Sequence, residues 1–246
     1  MPLLDHLIEL RRRLMWSVSA FMVCFIICYH FSDTLFFWLA DPLAHVLEAQ
    51  GGGKRLIYTH LTEAFFTYIK VAFFGAACIS FPVIAGQIWM FVAPGLYRSE
   101  KRAFAPFLVA TPVLFGLGAS LAYFFIFPVA WKFFASFQNA TGAGGLPIEL
   151  EPKVGEYLDL VMKLIFAFGV AFQLPVALSL LAKVGIVTSA GLKKYRRYAI
   201  VGNFVIAAVL APPDVITQIG LAVPLILLYE VSILAAKLVE PKPVED

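Results

Sequence analysis

Long apolar segments dominate this chain and restrict what it can fold into. A helix that crosses the hydrocarbon core of a bilayer needs about 20 predominantly apolar residues. Four segments of this length are followed by two shorter ones, and they cover 14–39, 64–92, 104–134, 157–182, 198–210 and 215–236. Of the 246 residues, 61% are hydrophobic and 14% are charged, against about 45–50% and 25% in soluble domains. The sequence therefore predicts an all-α membrane protein with a single transmembrane domain over 1–246.

The distribution of Lys and Arg predicts how the segments are oriented. If all six cross the membrane and the N-terminus is cytoplasmic, 13 of the 19 cationic residues fall inside and six fall outside. Cytoplasmic loops are enriched in Lys and Arg, so this topology satisfies the positive-inside rule. The alternative is four spans followed by a re-entrant hairpin. We expect six spans, with both termini in the cytoplasm.

The last two segments are separated by Pro212, Pro213 and Asp214. Proline cannot continue a helix, and Asp214 is well placed as the N-cap of the helix that follows. This pattern predicts a tight hairpin whose first span has only about 13–15 residues, which implies local thinning of the bilayer or burial against other helices.

Prolines and loops suggest further features of the bundle. Each proline inside a span removes a backbone hydrogen bond and tends to kink its helix, which favours a concave wall. These prolines are Pro82, Pro106, Pro112, Pro128, Pro175 and Pro224. Two long outer loops are predicted at 41–63 and 136–156, and 42–50 could form a short surface helix. The first apolar run is too long for a signal-peptide core, so we expect it to remain as an anchor.

Two acidic residues lie beside clusters of basic residues at the predicted cytoplasmic surface. In the amphipathic segment 2–14, Glu9 can reach Arg13 at i,i+4, as in a self-paired interfacial helix. In the segment 94–102, Glu100 lies among Arg98, Lys101 and Arg102, as in an ordinary positive-inside loop. The alternative interpretation is that both acids bind a basic partner.

Few polar residues lie within the apolar segments. Gln173 lies mid-span beside Pro175 and predicts either a hydrogen bond between helices or a polar site that lines a hydrated cavity. Asp159 and Lys163 predict a local ion pair one turn apart. Glu230 lies near the inner end of the last span, where it could reach water.

The sequence offers little support for an enzyme, a cofactor or a nucleic-acid partner. Its four histidines form no H-E-x-x-H motif, and we find no G-x-S-x-G or P-loop pattern. No spacing suggests a metal site, and a net charge of +3 is too small to indicate nucleic-acid binding. A proton-coupled small-solute transporter is the alternative function, although Gln173 cannot titrate and no internal repeat supports it.

Several long motifs resemble the TatC family, the multi-spanning subunit of the bacterial twin-arginine protein translocase. They are HLIELRRRL (6–14), TEAFFTYIK (62–70), FPVIAGQIWMFVAPGLYRSEKR (81–102), YFFIFPVA (123–130), FGVAFQLPVAL (168–178) and LAPPDVITQ (210–218). The resemblance covers nearly the whole chain and is closest to proteobacterial members.

The resemblance implies a function and a set of site residues. A TatC-like protein is a receptor for signal peptides with two consecutive arginines. With TatA- and TatB-type partners it exports folded proteins across the inner membrane, using the proton-motive force. By position, Glu9 and Glu100 would bind the arginine pair, while Arg11 and Phe91 would shape that surface. A carboxylate can hold the planar guanidinium in a bidentate geometry, which lysine does not offer.

The resemblance also implies sites away from the signal peptide. Pro42 and Asp214 fall at matched positions in outer loops. The fifth span and the Gln218 face of the sixth resemble a surface that docks a single-span partner. Many family members carry glutamate at the position of Gln173, so here we expect a neutral polar membrane site. The bilayer itself and further copies of the chain are the remaining expected partners.

Overall fold

The computed structural model describes residues 3–49, 56–92, 101–138, 150–210 and 215–240. Within these ranges the secondary structure is helical apart from one parallel bridge between Ile57 and Lys153. The α-helices are α1 (Leu3–His30), α2 (Ser32–Ala49), α3 (Glu63–Val92), α4 (Lys101–Leu121), α5 (Phe127–Ala135), α6 (Val154–Ala171), α7 (Leu174–Lys183), α8 (Ser189–Leu210) and α9 (Val215–Val239). A π-helical turn, Ala122–Ile126, joins α4 to α5.

Five stretches of the described residues are long and apolar enough to cross a membrane. They are His6–His30, Glu63–Phe91, Ala105–Ala135, Val154–Lys183 and Thr217–Val239. The predicted fifth span, 198–210, is the apolar half of α8 and is not among these five. The prediction of an all-α membrane protein is confirmed, while the count of six spans and the orientation of the termini stay predictions.

The first predicted span, 14–39, differs from the helix boundaries in the structure. Helix α1 ends at His30 and α2 begins at Ser32, so the apolar run covers parts of two helices. Ser32 and Asp33 are residues that favour the start of a helix. The short surface helix predicted at 42–50 is the second half of α2, and Pro42 lies inside this helix.

The chain divides into two compact units, and the first comprises Met1–Phe21, Ser80–Gly118 and Ala167–Asp246. In this unit α9 packs against α7 and α8. The buried side chains between them are Ala182, Leu192, Tyr229, Ile233 and Ala236. The hydroxyl of Tyr229 donates a hydrogen bond to the Leu192 carbonyl oxygen at 2.9 Å.

Helices α4 and α6 approach each other closely at two glycines of the same unit. A Cβ atom on Gly118 would lie 2.5 Å from the carbonyl oxygen of Phe168, and one on Gly169 would lie 2.5 Å from the ring of Phe115. Small residues allow helix backbones to approach closely in membranes. The pairing of 118 with 168 and of 115 with 169 shows that the two helices run antiparallel.

The second unit comprises Met22–Ile79 and Ala119–Phe166. Here α2 packs against α5, and two tyrosines bind the backbone of α2. The Tyr123 hydroxyl donates to the Trp38 carbonyl oxygen at 2.8 Å, and the Tyr157 hydroxyl donates to that of Leu39 at 2.9 Å. The ring of Trp38 also stacks on that of Tyr123, with centroids 4.4 Å apart.

A carboxylate connects the start of α3 to the start of α6 in this second unit. Glu63 accepts hydrogen bonds from the backbone N–H of Thr59 at 2.8 Å and of Gly155 at 3.0 Å. The first N–H groups of a helix have no partner within the helix. Glu63 therefore caps α6 from another helix, next to the bridge between Ile57 and Lys153.

The prolines of the spans take two kinds of position. Pro82, Pro106, Pro112 and Pro224 lie inside helices. Pro128 follows the π-helical turn at the start of α5, and Pro175 is in the first turn of α7. Proline is tolerated in the first turn of α7 because the backbone N–H it lacks would have no partner within that helix. Pro128 instead follows a turn in which the Phe127 N–H donates to the Ala122 carbonyl oxygen, and π-helical turns of this kind occur as single bulges inside α-helices. The predicted kinks and concave wall stay predictions.

Candidate functional site

Glu9 and Arg13 form an ion pair on the N-terminal half of α1. The guanidinium donates to Glu9 Oε1 through Nε at 3.0 Å and through Nη2 at 2.6 Å. Both side chains are largely buried, with exposed fractions of 17% for Arg13 and 19% for Glu9. The pairing expected from the i,i+4 spacing is confirmed, and it holds the carboxylate in a fixed position.

Two residues at the C-terminal end of α3 complete this site within the first unit. Arg13 Nη1 donates to Gln87 Oε1 at 3.2 Å. The rings of His6 and Phe91 stack with centroids 4.4 Å apart and planes inclined by 24°. On α1 the site residues are His6, Glu9 and Arg13, at intervals of three and four residues. On α3 they are Gln87 and Phe91, which are four residues apart. Each set therefore shares one helix face, and the two faces contact each other.

The sequence analysis identified Phe91 and Glu9 but did not include Gln87 or His6 in the site. Their spacing was the available signal, because Gln87 shares a face of α3 with Phe91 and His6 shares a face of α1 with Glu9. The site combines a fixed carboxylate, whose two oxygens offer about four acceptor positions, with a flat aromatic surface.

Arg11 lies away from this cluster. Two residues correspond to a rotation of about 200° around an α-helix, so Arg11 lies nearly opposite Glu9. Its side chain is exposed. The structure thus brings Glu9 and Phe91 to one place but not Arg11, whose role stays a prediction. Glu100 and Asp214 lie outside the described residues.

Gln173 occupies the break between α6 and α7 and is buried. Its Nε2 donates to the carbonyl oxygens of Thr111 on α4 at 3.1 Å and of Gly169 at 3.4 Å. The expected hydrogen bond between helices is therefore present. Within the described part of the chain, the buried Oε1 atom of Gln173 has no hydrogen-bond donor.

The remaining predicted residues lie in other parts of the fold. Pro42 is buried in α2 of the second unit, and Gln218 is half-buried on α9 of the first. Three residues of α8 are buried, namely Leu192, Asn203 and Ala207. Apolar side chains elsewhere on α8 are exposed, including Phe204 and Val209.

Two ion pairs join helices that are far apart in sequence. The carboxylate of Asp159 accepts from Lys70 Nζ at 2.7 and 2.9 Å, a contact that the sequence did not predict, while the expected pairing of Asp159 with Lys163 stays a prediction. Glu230 was expected to reach water; its side chain is 38% exposed, and it also binds Arg196 through two contacts of 2.7 Å. Among the described residues, no group of three His, Cys, Asp or Glu could hold a metal ion.

The fold and the site define a membrane protein of several spans with a fixed carboxylate at one end of two spanning helices. The family model described as "Sec-independent protein translocase protein (TatC)" matches residues 5–224. The chain belongs to the TatC family.

Individual relatives agree with this assignment. The chain is 52% identical to the Sec-independent protein translocase protein TatC of Magnetococcus marinus, over 100% of this chain and 87% of that protein. Identity to the Escherichia coli protein of the same name is 39%, over 94% and 86%. A crystal structure described as the twin arginine translocase receptor TatC aligns with a TM-score of 0.79 and 41% identity, over 95% of this chain and 99% of that chain. This chain is accordingly a component of a protein transport system in a membrane.

Proposed function

We propose that this chain is the receptor for twin-arginine signal peptides and the core subunit of a translocase that exports folded proteins. It acts with TatA- and TatB-type single-span partners in the bacterial inner membrane and uses the proton-motive force. Further copies of the chain assemble in the same complex. Six spans with both termini cytoplasmic place 13 cationic residues on the side from which precursors arrive.

The observation that carries this proposal is the fixed carboxylate of Glu9. Arg13 holds Glu9 Oε1 through two N–H groups, so the carboxylate does not need to be ordered when a ligand binds. Preorganised groups lose less entropy on binding. A peptide guanidinium that adds to this carboxylate makes a charge-assisted hydrogen bond, and the low exposure of Glu9 strengthens it.

The aromatic pair beside Glu9 favours arginine over lysine. Guanidinium groups stack on aromatic faces, while ammonium groups are more strongly hydrated. The stacked rings of His6 and Phe91 offer such a face next to the carboxylate. Glu100 follows α3 in the sequence and supplies the second carboxylate. Arg11 borders the surface from the exposed side of α1.

Partner helices dock on α8 and α9 in this proposal. Helix α8 has four cations within Lys193–Arg197 and continues with an apolar half, 198–210, which forms the short fifth span. Its apolar side chains are exposed except on one face, so a single-span helix can pack there. Gln218 on α9 and the unsatisfied Oε1 of Gln173 supply polar contacts. Pro42 and Asp214 act on the outer side.

The binding of an Arg-Arg signal peptide to the purified full chain tests the proposal. Loss of one charge-assisted pair costs about 1.5–3 kcal/mol, so Glu9→Gln should weaken binding about 10- to 150-fold. A Lys-Lys peptide should also bind more weakly. Glu230→Gln is the matched control, because this glutamate also holds an arginine but lies away from α1.

Two results would contradict the proposal. If Glu9→Gln binds the Arg-Arg peptide as tightly as the wild type does, the carboxylate is not part of the receptor site. If Glu9→Gln and Glu230→Gln weaken binding equally, the effect comes from the net charge of the protein and not from a specific site.

A further inference from the structure

Three consecutive arginines of α1 have different environments. Arg13 is largely buried and binds Glu9 and Gln87. Arg11 and Arg12 are exposed, and no carboxylate in the described ranges forms an ion pair with either of them. Two neighbouring cations are therefore presented outward, on a part of α1 that the Glu9 cluster does not use.

A groove of about 410 Å³ lies on this outward part of α1. Its described lining consists of Ile8, Arg11, Arg12, Met15, Trp16 and Ser19. These residues recur at helical spacing along α1 and extend over roughly 16 Å at 1.5 Å per residue. Among the described lining residues, the polar groups are the two guanidinium groups and the hydroxyl group of Ser19.

The groove crosses the boundary between water and hydrocarbon. No charged residue occurs from Leu14 to Tyr29, so this part of α1 lies in the apolar layer and the arginines mark its edge. Met15 and Trp16 are one turn further into that layer, and more than half of each side chain is exposed. Tryptophan is enriched at this depth in membrane proteins.

We propose that the groove binds an anionic glycerophospholipid of the same leaflet. Arg11 and Arg12 hold the phosphate, because guanidinium groups recognise phosphate through paired N–H donors. An acyl chain lies along Met15 and Trp16. The groove borders the receptor surface of the proposed function, because Arg11 belongs to both and Arg12 is three residues from Glu9 on α1. The lipid assignment rests on the lining of the groove, and its test measures lipid binding and not peptide binding.

The arrangement of polar and apolar lining favours a lipid over a soluble anion or an acidic peptide. The cations lie at the membrane edge and most of the apolar surface continues inward, which matches a phospholipid with its headgroup outward. A soluble anion would leave the exposed surfaces of Met15 and Trp16 uncovered. Anionic lipids contribute attraction equivalent to about a five-fold gain in affinity for each Lys or Arg near the surface.

Quenching of Trp16 fluorescence by brominated lipids tests the proposal on the full chain reconstituted in vesicles. The chain has four tryptophans, so the signal of Trp16 is the difference between the wild type and Trp16→Phe. Brominated phosphatidylglycerol should bind next to Trp16 about 25-fold more tightly than brominated phosphatidylcholine, at about five-fold for each arginine. The Arg11→Gln, Arg12→Gln double variant should lose this preference.

The controls separate a specific site from general charge and from folding defects. Lys193→Gln with Lys194→Gln removes two exposed cations elsewhere and should keep the preference. The double variant Arg11→Lys, Arg12→Lys should keep a substantial part of the preference for phosphatidylglycerol. This result would exclude misfolding as the cause of the loss in the Arg11→Gln, Arg12→Gln variant. Equal losses in the two glutamine double variants, an equal response to both lipids, or displacement of the lipid by millimolar glycerol phosphate would each overturn the proposal.

Discussion

The close approach of α4 and α6 predicts that alanine has very different effects at three glycines. Gly116 and Gly118 are two residues apart on α4, yet a Cβ atom on Gly116 would meet nothing within 4 Å. A Cβ atom on Gly118 would meet the backbone oxygen of Phe168, and one on Gly169 would meet the ring of Phe115. The three substitutions are otherwise identical, since each adds one methyl group to a helix.

The contacts determine the order of stability. Replacing Gly by Ala inside a helix gains about 0.8–1 kcal/mol, and at Gly116 nothing opposes this gain. At Gly169 the ring of Phe115, which is stacked on Phe81 at 4.2 Å, must move. Overpacking of this kind costs about 1–3 kcal/mol. At Gly118 the obstacle is backbone, so the helices must separate by about 1 Å to reach an ordinary contact.

We therefore expect Gly116→Ala to be the most stable variant and Gly118→Ala the least, with about 3 kcal/mol between them. Gly169→Ala should lie between these two. Unfolding of the purified chain with SDS, followed by circular dichroism, measures the free energies. If Gly116→Ala and Gly118→Ala agree within about 0.5 kcal/mol, which is the usual size of a neutral surface change, the inferred helix contact is wrong.

Two further predictions concern charged groups of the second unit. Glu63→Gln should speed amide hydrogen exchange at Gly155, because it loses the carboxylate that caps α6, while Glu156→Gln in the same first turn should leave this exchange unchanged. For the pair of Lys70 and Asp159, which are both about half exposed, the double variant Lys70→Gln, Asp159→Asn should lose less in melting temperature than the sum of the two single variants. Each single variant already lacks this ion pair, and an exposed pair contributes at most about 1 kcal/mol, so additive losses in melting temperature would refute this.

Local patterns in the sequence predicted those features that depend on neighbouring residues. Apolar length identified the spanning helices, and the i,i+4 spacing identified the pair of Glu9 and Arg13. The bond from Gln173 to α4 was expected because a polar group inside an apolar segment needs a partner. These inferences need only helix geometry and the difference between water and lipid.

Contacts between distant segments could not be predicted in the same way. Asp159 pairs with Lys70, which is 89 residues away, and only the packing of the second unit brings these two residues together. The end of α1 was also missed, because no proline or glycine interrupts the apolar run there. The Ser32 and Asp33 pair was a signal for a new helix, but the continuous hydrophobicity outweighed it.

The amide of Gln173 restricts what the buried polar site of this chain can do. Two carbonyl oxygens, from Thr111 and Gly169, surround one end of the amide, so that end must be the Nε2 donor and the opposite end must be Oε1. An acceptor that is buried without a donor costs about 1–3 kcal/mol. Because the Oε1 atom is buried, a donor from a partner helix would recover this energy only if the packing around Gln173 opened. An amide does not titrate, so it cannot carry a proton across the membrane. In this chain the position therefore favours hydrogen bonding over proton transfer, as its bonds to Thr111 and Gly169 show.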